Sequence, residues 1–292
     1  MTELKLHFKK AGLYTSIQDS GRPGVQHMGI PIGGAMDMEA MQDANELVGN
    51  PKYSPVIEIT LQGPEIQIEG EGQIAFAGAY FKGEINGRSL PFYQTINVKN
   101  GDKINISGAI YGSRSYLAAR GLMEEKEWLG SSSAVSHYLE PYGLESHFAD
   151  GRIVSFNSDL PVAKRKKVRS KHPIHSECAI LRTVTGPEFG QFPIEFIQTF
   201  YDTVFTVSGD CNRMGYRLNE KVQDYSNIKE MTSSGIIPGT IQISNDGSPI
   251  VLMRDAQTTG GYPRIANVIS EDIDLLAQMR QGHELKFMLI GL

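Results

Sequence analysis

Residues 12–37, GLYTSIQDSGRPGVQHMGIPIGGAMD, decide how the rest of the 292-residue chain is read. Six glycines (Gly12, Gly21, Gly24, Gly29, Gly33, Gly34) and two prolines (Pro23, Pro31) stand among Gln18, Asp19, Arg22 and the closing Asp37. Glycine admits positive φ and lets a backbone approach a ligand, whereas proline fixes φ and withdraws a donor. Alternating the two restraints around Gln, Asp and Arg describes a shaped loop that presents polar groups. Long irregular loops are uncommon in compact domains and are mostly functional, which favours that reading over a plain strand connection.

Working outward, Leu4–Phe8 alternates apolar and polar residues as a half-buried strand does. On the other side, residues 38–50 carry Met41, Ala44, Leu47 and Val48 at helical spacing, with Asp37 as N-cap and Gly49 as C-terminal stop. One carboxylate at a helix N-terminus can cap and contact a ligand at once, so both roles stay open for Asp37. Short strand-like runs then follow one another at 56–61, 65–68, 73–77, 81–85, 94–98, 103–106 and 115–119. They are broken by Gly63-Pro64, Asn86-Gly87 and Asn100-Gly101-Asp102, and Asn-Gly between apolar runs is a strong hairpin signal. This pattern predicts a sandwich or barrel rather than alternating βαβ units. Trp128 sits beside a polar turn ending in three serines, Ser131 to Ser133. After a basic, aperiodic stretch the β pattern resumes at 179–184, 203–208, 239–243, 248–253 and 287–290, with short helices near 192–200 and from Ser270. Gly186-Pro187-Glu188 echoes Gly63-Pro64-Glu65, as two similar domains would.

Bulk properties narrow the class. Hydrophobic residues make up 40% and charged residues 21%, ordinary globular values that supply ample core. A net charge of −5 argues against a general nucleic-acid binder. Two cysteines give no disulfide framework, MTELKLHFKKAG lacks a secretory apolar region, and no apolar run reaches membrane length, so the cytoplasm is the expected compartment. No Walker loop, Rossmann fingerprint, H-E-x-x-H, paired C-x-x-C or G-x-S-x-G is present, and no metal site is expected. Ala35-Met36-Asp37-Met38 parallels the Ala-Met-Lys-Met of biotin carriers, but Asp37 has no amine to be acylated.

Several motifs together carry a resemblance. Residues 15–22 match T-x-x-Q-D-x-G-R, 29–37 match G-V-P-x-S-G-A-M-D, and 44–50 match A-N-x-L-V-G-N. Farther on, 208–218 match S-x-x-S-N-R-M-G-x-R-L, 233–242 match S-x-G-x-x-x-G-x-I-Q, and 255–263 match D-x-Q-T-T-G-G-Y-P. In these features the chain resembles the allophanate hydrolase subunit 2 family of biotin-dependent carboxyltransferases. That family includes the carboxyltransferase part of urea carboxylase and the C subunit of the bacterial ATP-dependent 5-oxoprolinase, to which the likeness is greatest. It departs at Gly33, where Ser is usual, and at Ala119-Arg120-Gly121, where a Gly-Gly pair is usual.

The resemblance implies a mainly β fold with short helices, built as two cyclophilin-like β-barrel domains with a cleft between them. The expected domains are 1–160, holding the loop 12–37, and 177–292, joined by a basic linker 161–176, with segments free to exchange between them. It implies Asp19, Arg22, Arg213, Asp255 and Tyr262 as catalytic residues, and Gln18, Asp37, Asn212, Gln257, Thr258, Thr259, Gly260 and Gly261 as substrate contacts. Arg22 and Arg213 would clamp a carboxylate. Amides near Gly260 and Gly261 would stabilise developing charge. Asp19, Asp255 or Tyr262 would orient or move a proton while Thr258 and Thr259 position the substrate amide. The implied activity is ATP-dependent cleavage of 5-oxoproline to L-glutamate with partner subunits A and B, the latter resembling a kinase-inhibitor protein. ATP serves the complex, and no cofactor is covalently bound. The alternatives are a urea or amide carboxyltransferase drawing on carboxybiotin, and a non-catalytic antagonist of a kinase-inhibitor protein.

Overall fold

The computed structural model describes residues 2–135, 145–159, 177–222 and 231–291. The expected basic linker 161–176 lies outside the described residues. By internal packing the chain divides into two units, 1–22 with 33–175, and 23–32 with 176–292.

The first unit contains β1 (Thr2–Lys10), β2 (Tyr14–Gln18), α1 (Met38–Val48), β3 (Val56–Thr60), β4 (Glu65–Gly70) and β5 (Gly72–Ile85). It continues with β6 (Arg88–Ser89), β7 (Ile96–Val98), β8 (Lys103–Ala119), β9 (Leu122–Met123) and β10 (Ile153–Ser158). Among the described residues these form a 10-stranded sheet in the order β2-β3-β8-β4-β1-β10-β9, with β5 pairing β6, β7 and β8. Strand alternation gives the sheet two buried faces. Ile74, Phe76, Leu117 and Phe156 join Leu6, Phe8, Ile57 and Ile68 in the larger core. The intervening Ala75, Ala77, Tyr116 and Ala118 meet Met41, Ala44, Leu47 and Val48 of α1. Three alanines on that face leave room for the helix backbone.

Two expectations are corrected here. The runs 73–77 and 81–85 are one strand, and so are 103–106 and 115–119. Register shifts around Gly78, Tyr80 and Phe81 bend β5 against β8 instead of ending it, because a bulge absorbs an extra residue without stopping the ladder. Gly78 sits at φ 92°, conformational space open to glycine. Asn86 and Gly87, at φ 50° and 75°, make the expected tight hairpin between β5 and β6.

The second unit holds β11 (Cys178–Thr185), α2 (Ile194–Asp202), β12 (Phe205–Cys211), β13 (Gly215–Leu218), β14 (Ser234–Gly235) and β15 (Thr240–Ile243). It ends with β16 (Pro249–Leu252), β17 (Thr259–Gly260), β18 (Arg264–Val268), α3 (Ser270–Ala277) and β19 (Glu284–Leu289). Seven of these strands close into a barrel, β11-β18-β15-β16-β13-β12-β19, sealed by parallel pairing of β11 with β19. Phe200 of α2 stacks on Phe287 at 5.0 Å, and Phe205 lies 5.5 Å from the same ring. The two strands β14 and β17 form a separate small sheet, and Ile236, Ile250, Leu252 and Ala256 form a small buried cluster of their own. Among the described residues no helix is long and apolar enough to cross a membrane.

Candidate functional site

The residues singled out from the sequence fall into two groups, one in each unit. In the first unit, Asp19 follows directly on β2 and is buried. Its Oδ1 accepts hydrogen bonds from Ser131 Oγ (2.6 Å), Ser133 Oγ (2.5 Å) and the Gly21 amide (2.7 Å). Its Oδ2 accepts from the Ser132 amide at 2.8 Å. Ser133 Oγ accepts in turn from the Asp19 amide at 2.8 Å. One carboxylate thus organises the whole serine turn.

Arg22 packs on the same turn from another side. Its Nη2 donates to the Ser133 carbonyl at 2.6 Å and its Nε to the Trp128 carbonyl at 3.4 Å. The guanidinium carbon lies 5.4 Å from the centre of the Trp128 ring, where a cation is attracted by the ring face. The turn itself is tight, with Leu129 and Gly130 at φ 52° and 76°. Gln18 completes the frame, donating to Ser16 Oγ (3.0 Å) and to the Ala134 carbonyl (3.2 Å). Gly33, at φ 67°, faces this turn, and a Cβ there would fall 2.9 Å from Val135 Cγ2 and 3.3 Å from Arg22 Nη1. A serine at that position would therefore press on Val135 first and crowd the arginine next.

Asp37 caps α1, with Oδ1 accepting from the Ala40 amide at 2.9 Å. Its own amide donates to the Tyr116 hydroxyl, which donates to Glu58 Oε2 at 2.9 Å. Burial and the neighbouring Glu58 carboxylate push the Tyr116 phenol well above its ordinary range, so it stays a protonated donor. The cap expected of Asp37 is thus formed. With a buried carboxylate and no amine, this position offers biotin no point of attachment.

In the second unit, Arg213 and Asp255 form a bidentate pair, Nε to Oδ2 at 2.8 Å and Nη2 to Oδ1 at 2.9 Å. Both side chains are buried, 5% and 0% exposed, and the Asp255 amide also donates to the Arg213 carbonyl at 2.8 Å. Asn212 is exposed and turns the chain, its Oδ1 accepting from the Met214 amide at 2.7 Å. The pair fixes the root of the segment 257–262, where Gln257 and Thr258 are half-buried and Thr259 and Tyr262 are exposed. Gly260 and Gly261 lie between them, with Gly260 paired to Ser234.

Sequence reasoning passed over several partners. Ser131, Ser133 and Trp128 were visible as a hydroxyl-rich turn but carried no sign of Asp19. Glu188, the closing residue of the echoed Gly-Pro-Glu, takes a bidentate grip from Arg264, Nε to Oε2 at 2.7 Å and Nη2 to Oε1 at 2.6 Å. This pairing holds the Glu188 carboxyl below its ordinary value of 4.5. A carboxylate with a depressed folded pKa stabilises the protein above its unfolded pKa and stops doing so as pH falls through the folded value. Glu188→Gln is therefore expected to melt below wild type at pH 7, with the gap closing as pH falls below 4.5. A gap that stays constant as the pH is lowered through that range in thermal melts refutes the assignment.

Among the described residues no group of His, Cys, Asp and Glu is arranged to hold a metal ion. Compared with known proteins, residues 28–289 match the family described as "Carboxyltransferase domain, subdomain A and B". The chain is 35% identical to the 5-oxoprolinase C subunit of Escherichia coli (strain K12), covering 96% of this chain and 89% of that one. It is 32% identical to the 5-oxoprolinase C subunit of Haemophilus influenzae, covering 95% and 88%. The solved structure of TTHA0988 superposes with a TM-score of 0.86 at 28% identity, covering 97% of this chain and 55% of that one, so the chain spans about half of the solved protein. With a family match across nearly all of its length and a shared β architecture, the chain belongs to the carboxyltransferase-domain family, subdomains A and B.

Proposed function

We propose that the chain is the C subunit of an ATP-dependent 5-oxoprolinase, opening 5-oxoproline to L-glutamate together with subunits A and B in the cytoplasm. The observation that carries this reading is the near end-to-end similarity to two relatives that bear that name. In the reaction the lactam C–N bond breaks, water supplies the new carboxylate oxygen, and the ring nitrogen leaves as the α-amine. ATP hydrolysis by the complex drives the opening.

Within this reading Gln257, Thr258, Thr259 and Tyr262 contact the substrate amide, and the amides around Gly260 and Gly261 stabilise its developing oxyanion. Arg213 and Asp255 act as a pair that holds this segment. Asp19 and Arg22, already committed to the 128–133 turn, act through that turn rather than by moving a proton. Purified subunits A and B, mixed with this chain, ATP and 5-oxoproline, are expected to associate and release glutamate. Neither association nor glutamate, with every partner folded, overturns the proposal. The family's description, with 28% identity to a relative named putative urea carboxylase, also supports a second reading, carboxyl transfer to urea or a related amide. Turnover of carboxybiotin by this chain without subunits A and B would favour that one.

A further inference from the structure

The segment 257–262 is held from beneath by a pair of side chains that the sequence reading did not single out. Gln242 and Arg264 are direct partners across the β15–β18 ladder, next to a register shift between Ile241 and Gln242. Facing residues on adjacent strands project to the same side of a sheet. Gln242 is 1% exposed, and its Nε2 donates to the Tyr262 carbonyl at 3.3 Å. The glutamine amide also lies against Gly260, where a Cβ would fall 2.5 Å from Nε2. Arg264, anchored on Glu188, sends Nη1 to the Gly235 carbonyl at 2.7 Å. Gly235 pairs with Thr259, and the Ile236 amide donates to the Thr258 carbonyl at 3.1 Å. Two side chains thus grip the segment by opposite edges, one at Tyr262 and the other through the β14 strand that pairs with it.

We propose that Gln242 and Arg264 are positioning residues that set the backbone geometry of residues 258–262. This deepens the 5-oxoprolinase reading and rests on it for its catalytic consequence. A buried donor bonded to a loop carbonyl constrains where the loop's amides and hydroxyls point, and small misplacements at a reacting centre cost large rate factors. Gln242→Met keeps the volume and removes the donor. Arg264→Lys keeps the charge and gives up the fork that spans Glu188 and Gly235.

In the assembled complex with 5-oxoproline and ATP, each variant is expected to lower kcat about 10-fold or more with KM changed less than about 3-fold. Gln242→Glu, which keeps the length but replaces the donor with a carboxylate, is expected to fare no better than Gln242→Met. In the chain alone, amide hydrogen exchange at residues 258–262 is expected to rise at least about 10-fold in Gln242→Met, while the barrel strands keep their wild-type protection. Wild-type exchange at these amides in Gln242→Met overturns the proposal, whatever the activity. An inactive wild-type complex overturns the 5-oxoprolinase reading instead and leaves the exchange result to decide the positioning role. Loss of protection throughout the barrel as well also counts against it, since Gln242 would then be a general core residue.

Discussion

Asp255→Ala is expected to destabilise the second unit by about 3–5 kcal/mol, the cost typical of stripping one partner from a buried ion pair. The physical cause is the arginine left behind. Arg213, in the connection between β12 and β13, is 5% exposed, and its Nε and Nη2 both donate to Asp255. Without the carboxylate its charge remains desolvated with two donors unanswered. Asp255→Asn should recover little, because an amide presents only one acceptor to a fork that needs two. The double substitution Arg213→Met, Asp255→Leu removes the charge problem altogether and should restore most of the lost stability, as apolar replacements of buried pairs commonly do. Urea denaturation followed by far-ultraviolet circular dichroism measures the effect. A cost below about 1 kcal/mol for Asp255→Ala would mean that water reaches the pair and that it does not brace residues 257–262.

Asp19→Ala is expected to cost about 3 kcal/mol, in keeping with the loss of several hydrogen bonds to one buried charge. Four donors converge on this carboxylate, two of them hydroxyls of the serine turn. Alanine leaves all four without an acceptor, and water can reach few of them. The protein carries a single tryptophan, Trp128, on the same turn and under the Arg22 guanidinium. Its emission therefore reports on this site alone. Asp19→Ala should shift Trp128 emission to the red and lower the unfolding midpoint. An Asp19→Ala protein with wild-type emission would show that the turn is held by something other than Asp19.

Much of the local architecture was legible in the chain. Asp37 and Gly49 bracket α1 as their chemistry requires, one as a carboxylate accepting from Ala40, the other at φ 74° where only glycine is comfortable. Asn86-Gly87 closes its hairpin for the same kind of reason. The alternation of Ile74, Ala75, Phe76 and Ala77 already encodes two faces, and the structure places a core on one and a helix on the other. Strand ends were less legible. The runs 73–77 and 81–85 read as two strands, but register shifts between Gly78 and Gly83 carry one strand through, and a bulge differs from a break only in whether the partner strand continues.

The candidate site divides along the same line. Asp19, Arg22, Arg213, Asp255 and the hydroxyls and glycines of 258–262 stand in segments rich in turn-forming and polar residues, which is as far as the linear chain reaches. What each of them touches depends on how distant segments pack. Asp19 meets serines more than a hundred positions away, Arg213 meets Asp255 across 42 residues, and Gln242 reaches Tyr262 only because β15 and β18 lie side by side. Propensity, capping and turn chemistry act between near neighbours and leave their mark in local spacing. A charge pair or a brace between distant strands depends on register, and register is set by the packing of the whole sheet.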